Sequence, residues 1–283
     1  MRFEKWQALG NDYVIVERDA LPFALNAERV RSLCGRHTGI GADGVLELSP
    51  PDAKGFVARL RVFNADGSEA ELSGNGAREA ILYLRRAGWT QATTFSIQTV
   101  AGEIRPTITS DTTCTVDMGT ARLQSKDFIG GPRDGAGEIE AGEHRWGFQH
   151  VSIGNPQCAI RMGSEEQLTA LDLSAVGPSI ENATDRFPNR TNVSWFAVRA
   201  PDVVRARIFE RGVGETLSSG TGACGAAVAH VLSGGDSPVT VVLDGGELEV
   251  DVDEALHVDL SGWAVPVYAG EVSPDLRAAL ERR

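Results

Sequence analysis

Two short motifs contain the residues whose types and spacing could do chemistry. The chain reads Ser-Gly-Asn-Gly-Ala at residues 73–77 and Ser-Gly-Thr-Gly-Ala at residues 219–223. A glycine-rich turn that opens a helix leaves backbone N–H groups without helical partners, and these donors favour an anion. Each motif alone therefore predicts either a carboxylate site or, more simply, a helix start that the serine caps.

The two motifs belong to a longer internal repeat. Residues 59–80 align with residues 205–226 at a separation of 146 positions, and residues 8–16 align with residues 152–160 at a separation of 144. Both matches occur in the same order along the chain. The repeat favours a duplicated fold with two equivalent helix ends, and hence an anion site over simple capping.

Two equivalent halves suit the inversion of a stereocentre. That reaction needs a base on one face of the carbon and an acid on the other, which two helix ends facing one cleft would supply. The chain has no P-loop, SGNGAR lacks the GxGxxG spacing of a dinucleotide fingerprint, and lysine is scarce. We therefore expect no cofactor.

Strands and buried helices must position these motifs. Residues 59–63 alternate as a strand does, and a helix is predicted from about Asn75 to Ala87, where Gly88 stops it. Residues 221–232 are small and apolar nearly all round, which predicts a buried central helix. Other predicted helices lie at 26–37 and 273–283, and other strands at 94–100, 113–116, 239–243 and 248–252. The predicted fold class is α+β, with two pseudo-symmetric halves, each a curved, mainly antiparallel sheet around a central helix.

Composition argues against several function classes. The chain has 283 residues, 42% of them hydrophobic, which is enough for one large core or two medium ones. A net charge of −12 with scattered acidic residues argues against nucleic acid as a partner, and the apolar runs are too short for a membrane span. The four cysteines lack CxxC spacing, so we expect no metal site. No secretory signal is visible, and we expect a cytoplasmic protein.

The motifs resemble those of the diaminopimelate epimerase family. The segments that carry the resemblance are ALGNDYVIV, GIGADGVL, FNADGSEAELSGNGAR, VSIGNPQC, NRTNV and ERGVGETLSSGTGAC, in the family's order from residue 8 to residue 224. The resemblance implies two pseudo-symmetric domains with the active site between them. We expect one half at residues 1–118 with a returning tail at 267–283, and the other at 119–266.

The resemblance also implies which residues bind the substrate. In that family the carboxylate at the reacting end sits on two helix N-termini, which correspond to Gly74, Asn75, Gly220 and Thr221. The distal amino-acid head is held by asparagines and an arginine, which correspond to Asn64, Asn155, Asn192 and Arg211, with Asn11 nearby. The implied partner is a small-molecule amino acid, and a homodimer is compatible with the sequence.

The chemical groups depart from the family pattern. Its two catalytic thiols correspond to Ser73 and Ser219, and the histidine that pairs with the first thiol corresponds to Gln157. Glu210, which corresponds to the partner of the second thiol, is retained. A thiol has a pKa of about 8.5, whereas a serine hydroxyl is a far weaker acid.

Three interpretations of these departures stay open. The serines are engineered replacements, or the chain belongs to a natural lineage with other proton carriers, or catalysis is lost. For the second interpretation the candidate carriers are Glu210, Asp66 and ordered water. The leading hypothesis is a cofactor-independent epimerase that converts LL- to meso-diaminopimelate in lysine and cell-wall precursor biosynthesis. A thiol-independent isomerase of the same fold and a non-catalytic amino-acid binder are the alternatives.

Overall fold

The succession of strand, glycine-bearing loop and helix occurs twice in the structure, a computed structural model that describes residues 1–142 and 144–283. The chain separates into two units. The first contains Met1–Val116 and Gly262–Arg283, and the second contains Asp117–Ser261.

The first unit begins with β1 (Arg2–Ala8), β2 (Asn11–Glu17), a 3-10 turn (Arg18–Ala20), α1 (Ala27–Cys34), β3 (Gly44–Ser49), β4 (Ala58–Asn64) and β5 (Glu69–Ala70). It continues with α2 (Gly74–Arg86), β6 (Ile97–Thr99), β7 (Gly102–Ile104) and β8 (Pro106–Ile108), and β9 (Thr113–Thr120) contains the boundary to the second unit.

The second unit continues with β10 (Ala136–Ala141), β11 (His144–Ser152), β12 (Pro156–Arg161), α3 (Glu165–Ala170), α4 (Leu173–Glu181), β13 (Asn192–Ala200) and β14 (Val203–Glu210). Then follow β15 (Gly214–Thr216), α5 (Gly220–Leu232), β16 (Val239–Leu243) and β17 (Gly246–Val252). The chain returns through β18 (His257–Trp263) to β19 (Val265–Glu271) and α6 (Pro274–Glu281).

Each unit is built on a mixed sheet with the same pairing pattern. The strand order is β19-β1-β2-β3-β4-β6-β7 in the first unit and β10-β11-β12-β13-β14-β16-β17-β18 in the second. The parallel pairs are β2 with β3 and β4 with β6 in the first unit, and β12 with β13 and β14 with β16 in the second. The other pairs within β1–β4 and β11–β14 are antiparallel. These repeated sheets confirm the predicted α+β, mainly antiparallel fold.

The two predicted central helices are present and each begins one residue earlier than expected. Residues 75–84 of α2 are buried, and so are nearly all residues of α5. Gly88 follows α2 with a φ of +81°, a conformation that suits a helix stop. The helix predicted at 26–37 is shorter, because α1 ends at Cys34. In the tail, Val272 and Leu280 pack into the apolar core of the first unit.

Polar residues of α2 depart from the simple amphipathic pattern. Arg78 and Glu79 are fully buried, although the helical stripe of Ala77, Ala80 and Ile81 predicts an apolar core face only. Among the described residues, no helix is long and apolar enough to cross a membrane.

Candidate active site

Ser73 caps the helix of the first half-site. Its Oγ accepts a hydrogen bond from the backbone N–H of Gly76 at 3.1 Å, which satisfies one of the donors at the start of α2. The hydroxyl of Tyr13, on β2, also donates to Ser73 Oγ, at 3.1 Å. Gly74 and Asn75 are the first residues of α2, where backbone N–H groups have no partner within the helix.

A chain of side-chain hydrogen bonds fixes the predicted binding amides of the first half-site. Arg78 Nη2 donates to Asn75 Oδ1 at 2.5 Å, and Asn75 Nδ2 donates to Asn11 Oδ1 at 3.3 Å. Asn11 Nδ2 in turn donates to Asp43 Oδ2 at 2.9 Å. Because a guanidinium can only donate and a carboxylate only accepts, both amides have one defined orientation.

Asn64 is the last residue of β4, and Asp66 lies in the turn that follows the strand. Asn64 is exposed and its Nδ2 donates to Ser68 Oγ at 2.9 Å. Asp66 is also exposed, and its carboxylate accepts from the hydroxyl and the backbone N–H of Ser68, which lowers the pKa of Asp66. Asp66 therefore shapes the turn, and its carboxylate is a weaker base than an ordinary one.

The second half-site repeats the capped helix. Ser219 is buried and its Oγ accepts from the backbone N–H of Gly222 at 3.2 Å. Its hydroxyl also forms a hydrogen bond with the carboxyl of Glu210, the last residue of β14. Burial raises the pKa of Glu210, and the hydrogen bond from Ser219 only partly opposes that shift. Glu210 is thereby moved towards the range in which a carboxyl exchanges protons near neutrality.

In the second half-site, Gln157 and Asn155 form the counterpart of the hydrogen-bonded amides Asn75 and Asn11. Gln157 is fully buried, and its Nε2 donates to Asn155 Oδ1 at 2.6 Å. Asn155 Nδ2 then donates to Thr221 Oγ1, at the start of α5, at 3.2 Å. Within the described residues, Gln157 Oε1 is buried without a hydrogen-bond partner. The side chain has room only because residue 225 is glycine, where a Cβ would lie 2.8 Å from Gln157 Cβ.

Asn192 forms a hydrogen bond with the backbone of Arg211, the arginine predicted to bind the distal amino-acid head. Its Oδ1 accepts from the backbone N–H of Arg211 at 2.9 Å, and its Nδ2 donates to the carbonyl of Pro156 at 3.2 Å. Arg211 Nη1 donates to the carbonyl of Asn189 at 2.7 Å. Two of Asn192's hydrogen-bonding positions are thus already occupied by protein groups.

The predicted site residues fall into two groups, one in each unit. The first unit contains Asn11, Asn64, Ser73, Gly74 and Asn75, and the second contains Asn155, Gln157, Asn192, Glu210, Arg211, Ser219, Gly220 and Thr221. Sequence reasoning missed Tyr13 and Arg78. The alternation of a strand places Tyr13 on the same face as Asn11, two positions earlier, and that signal could have found it.

Glu79 is a further acid of α2 that is not among the predicted site residues. It is fully buried on α2, and neither carboxyl oxygen completes a hydrogen bond of ordinary geometry with a described residue. Burial raises the pKa of Glu79 well above its usual range, although Arg78 and the nearby backbone N–H of Tyr13 act in the opposite direction. The neutral carboxylic acid is therefore favoured.

Asp117, His257 and Asp259 form a further cluster of ligand-type atoms in the second unit. Their nearest side-chain nitrogen and oxygen atoms all lie within 4.8 Å of one another. His257 Nε2 and Asp117 Oδ1 are 3.0 Å apart, and both side chains are partly or largely exposed. An ordinary surface ion pair accounts for this arrangement.

Comparison with known proteins gives matches to both halves of the chain. A family model described as diaminopimelate epimerase matches residues 3–124 and 149–273. A diaminopimelate epimerase of Synechococcus sp. (strain JA-3-3Ab) is 40% identical over 279 residues, which cover 95% of this chain and 97% of the relative. Another, from Pelotomaculum thermopropionicum, is 39% identical over 284 residues, which cover 96% of this chain and 98% of the relative.

Solved structures with low sequence identity have the same fold. A PhzF-family phenazine biosynthesis protein of Bacillus anthracis has a TM-score of 0.68 at 18% identity, over 96% of this chain and 99% of that protein. A hydroxyproline epimerase of Agrobacterium vitis has a TM-score of 0.65 at 13% identity, over 96% of this chain and 90% of that protein. These likenesses bear on the fold alone.

Proposed function

We propose that this chain, which belongs to the diaminopimelate epimerase family, is an isomerase that inverts one stereocentre of diaminopimelate without a cofactor. The reaction interconverts the LL and meso forms, a step in the biosynthesis of lysine and cell-wall precursors. The observation that carries the proposal is the repeated half-site, a serine-capped helix N-terminus with a titratable side chain bonded to the serine.

The helix N-termini support binding of the substrate carboxylate. The first N–H groups of α2 and α5 lie at Gly74 and Gly220, and the positive end of a helix dipole favours an anion there. Asn11 and Asn155 each bond the second residue of the adjacent helix, Asn75 and Thr221 respectively. These two asparagine side chains therefore fix the position of the residues beside each anion site.

We assign binding of the distal amino-acid head of the substrate to polar residues outside the helix N-termini. Asn64 and Arg211 are not fully buried, so both can reach a ligand. A guanidinium can bind a carboxylate with two parallel hydrogen bonds, and an amide can serve either an ammonium or a carboxylate. Asn192 supports this head indirectly, since it holds the backbone of Arg211.

Proton transfer in the second half-site is assigned to Glu210 acting with Ser219. The half-buried carboxyl has a raised pKa, and we assign to it the uptake of a proton from the serine hydroxyl. Gln157, at the position that the family resemblance assigns to a histidine, has an amide that does not accept a proton near neutral pH. We therefore assign Gln157 to positioning, because it bonds Asn155.

Two coarser expectations complete the proposal. The four cysteines are all buried and none of them is in a disulfide, which fits a reducing compartment, and we place the protein in the cytoplasm. A homodimer stays a prediction that sedimentation would test, and so does a cleft shared by the two half-sites.

Exchange of the α-proton in heavy water tests the proposed function. The chain is incubated with LL- or meso-diaminopimelate in D₂O, deuterium at the α-carbons is measured by mass spectrometry, and inversion by chiral chromatography. We expect deuterium at one α-carbon together with inversion. Tight binding in calorimetry without deuterium uptake would instead identify an amino-acid binder.

A matched pair of glutamate variants sharpens this test. Glu210→Gln should lower kcat by about 10²–10⁴-fold, the usual contribution of one positioned acid or base. Glu215→Gln makes the same chemical change on the neighbouring β15, where the carboxylate is exposed and paired with Arg207. It should retain kcat, and an equal loss in both variants would contradict the role of Glu210.

A further inference from the structure

We propose that Tyr13 acts through Ser73 as the proton reservoir of the first half-site, an inference that rests on the proposed function. Tyr13 would then be a positioning residue that supplies and recovers a proton at the serine hydroxyl, while Ser73 is the group that meets the substrate carbon. Neither the family resemblance nor the motif spacing assigns Tyr13 a role.

The hydrogen bonds of Ser73 leave its own hydrogen for a further acceptor. A serine oxygen has two lone pairs and one hydrogen. Ser73 Oγ accepts from the N–H of Gly76 and from the hydroxyl of Tyr13, both at 3.1 Å. Because these two donors use both lone pairs, the Ser73 hydrogen is left for a third group, and we assign that place to the substrate.

The Tyr13 ring is held where it can serve Ser73. Tyr13 is 5% exposed, and in the parallel pairing of β2 with β3 it lies opposite Gly44. A Cβ at residue 44 would lie 2.5 Å from Cε1 of the Tyr13 ring, so glycine is needed to leave space for it. The ring therefore has a fixed slot, and its hydroxyl is held at the start of α2.

A phenol has the chemistry that the serine lacks. Its ordinary pKa is about 10 and that of a thiol is about 8.5, whereas an aliphatic hydroxyl is a far weaker acid. The family resemblance places a thiol at residue 73. The pKa of a phenol is closer to that of a thiol than the pKa of a serine hydroxyl is. Tyrosine is an established acid and base in enzymes.

The proposed step conserves atoms and charge. When the first half-site acts as the acid, Ser73 Oγ gives its proton to the α-carbanion, a C–H bond forms, and Tyr13 passes its phenolic proton to Ser73 Oγ. A phenolate remains on Tyr13. When it acts as the base, the C–H bond breaks, its proton passes to Ser73 Oγ, and the serine proton passes to the phenolate. The electron pair of the broken bond stays on the α-carbon beside the carboxylate.

The second half-site provides an independent counterpart. There the half-buried Glu210 carboxyl bonds Ser219, so that each capping serine has one titratable partner. Each half-site should therefore remove the α-proton from one of the two isomers. Loss of one partner should abolish exchange into one isomer only, an effect that a general disturbance of the fold would not produce.

The decisive experiment compares Tyr13→Phe, Glu210→Gln and the control Tyr83→Phe. Tyr83 is a buried tyrosine of the same unit, 8% exposed, whose hydroxyl bonds Glu17 rather than Ser73. Each variant is incubated in D₂O with LL- or meso-diaminopimelate, and deuterium in the recovered, uninverted substrate is measured. Circular dichroism and calorimetric binding of diaminopimelate verify that each variant is folded.

We expect Tyr13→Phe to lower exchange into one isomer by about 10²-fold or more while the other isomer exchanges as in the unmodified chain. Glu210→Gln should show the opposite preference, and Tyr83→Phe should exchange both. Inversion should fall in both directions for the first two variants, since it needs both half-sites. Unchanged exchange in Tyr13→Phe, or an equal loss for both isomers, overturns the inference and leaves the proposed function standing. If the unmodified chain binds diaminopimelate but exchanges neither isomer, the proposed function itself is wrong, and the inference with it.

Discussion

The two half-sites share a frame but differ in the group that titrates. In each, a serine at the N-cap accepts from the backbone N–H three residues later, at 3.1 Å in the first unit and 3.2 Å in the second. In each, an asparagine that follows a turn bonds the second residue of the helix, Asn11 with Asn75 at 3.3 Å and Asn155 with Thr221 at 3.2 Å. The frame therefore places a hydroxyl and several backbone donors in the same way twice.

The titratable partners come from different strands. Tyr13 on β2 bonds Ser73, whereas its counterpart in the repeat is Gln157, whose amide has no acidic proton near neutrality. Glu210 at the end of β14 bonds Ser219, whereas its counterpart is Asn64, an exposed residue at the end of β4. A duplicated fold can thus retain its hydroxyl positions while the acid behind each hydroxyl changes independently.

The contrast extends to the central helices. Glu79 on α2 and Gly225 on α5 are equivalent in the repeat, 146 positions apart. Glu79 places a buried acid near the Tyr13 backbone, whereas Gly225 leaves the space that the Gln157 side chain occupies. Each half-site has therefore packed the contact between its second strand and its central helix in a different way.

Replacing a capping serine by cysteine should produce the largest effect on the difference between the two half-sites. If Tyr13 serves Ser73 as a proton reservoir, Tyr13→Phe should be rescued by Ser73→Cys, because a thiol of ordinary pKa about 8.5 titrates without a phenol. We expect the lost exchange into one isomer to recover by about 10²-fold or more. The measurement is deuterium uptake in D₂O for the single and double variants.

The same change in the other half is the matched control. Ser219→Cys should partly rescue Glu210→Gln, and Ser219→Cys should not rescue Tyr13→Phe. Rescue across the halves would contradict the assignment of one titratable partner to each serine. If the doubly restored chain, Ser73→Cys with Ser219→Cys, is slower than the unmodified chain, the serines are better suited to their present partners than thiols are.

Gly225→Ala should have a smaller effect, on stability. At an ordinary helical position, exchanging glycine for alanine stabilises by roughly 0.5–1 kcal/mol. Here the new Cβ would lie 2.8 Å from Gln157 Cβ, which is not the far end of a flexible side chain. We expect destabilisation by about 1–3 kcal/mol, the usual cost of overpacking, measured by denaturant unfolding. A gain in stability would show that β12 moves away from α5 at little cost.

Much of this architecture is readable from the sequence, and the reasons are physical. The repeat aligned Ser73 with Ser219, and the SGxGA pattern located both central helices to within one residue, because glycine turns and N-caps are local signals. The bond between Tyr13 and Ser73 joins residues 60 positions apart, one on a strand and one at a helix N-cap, and such pairing depends on sheet register. Likewise, the helical pattern gave no reason to bury Arg78 or Glu79.

Glu79→Gln gives the smallest and most specific test, a change in how stability depends on pH. Burial raises the pKa of Glu79 above its unfolded value of about 4.5, so the native state retains a proton that the unfolded state loses as the pH rises above that value. The free energy of unfolding should therefore fall with increasing pH, by at most about 1.4 kcal/mol per pH unit for one proton. Glutamine cannot ionise, so the variant lacks this fall.

The free energies of unfolding of the unmodified chain and Glu79→Gln should differ by a constant amount below pH 4.5 and then diverge in favour of the variant as the pH rises. Glu281→Gln, an exposed glutamate paired with Arg277 on α6, is the control, and its curve should stay close to that of the unmodified chain. Denaturant unfolding at a series of pH values provides the measurement. Curves for the unmodified chain and Glu79→Gln that run parallel throughout would mean that Glu79 is ionised in the native state, and Arg78 would then outweigh its burial. In that case the helix of the first half-site would hold an ion pair where the second has Cys224 and Gly225.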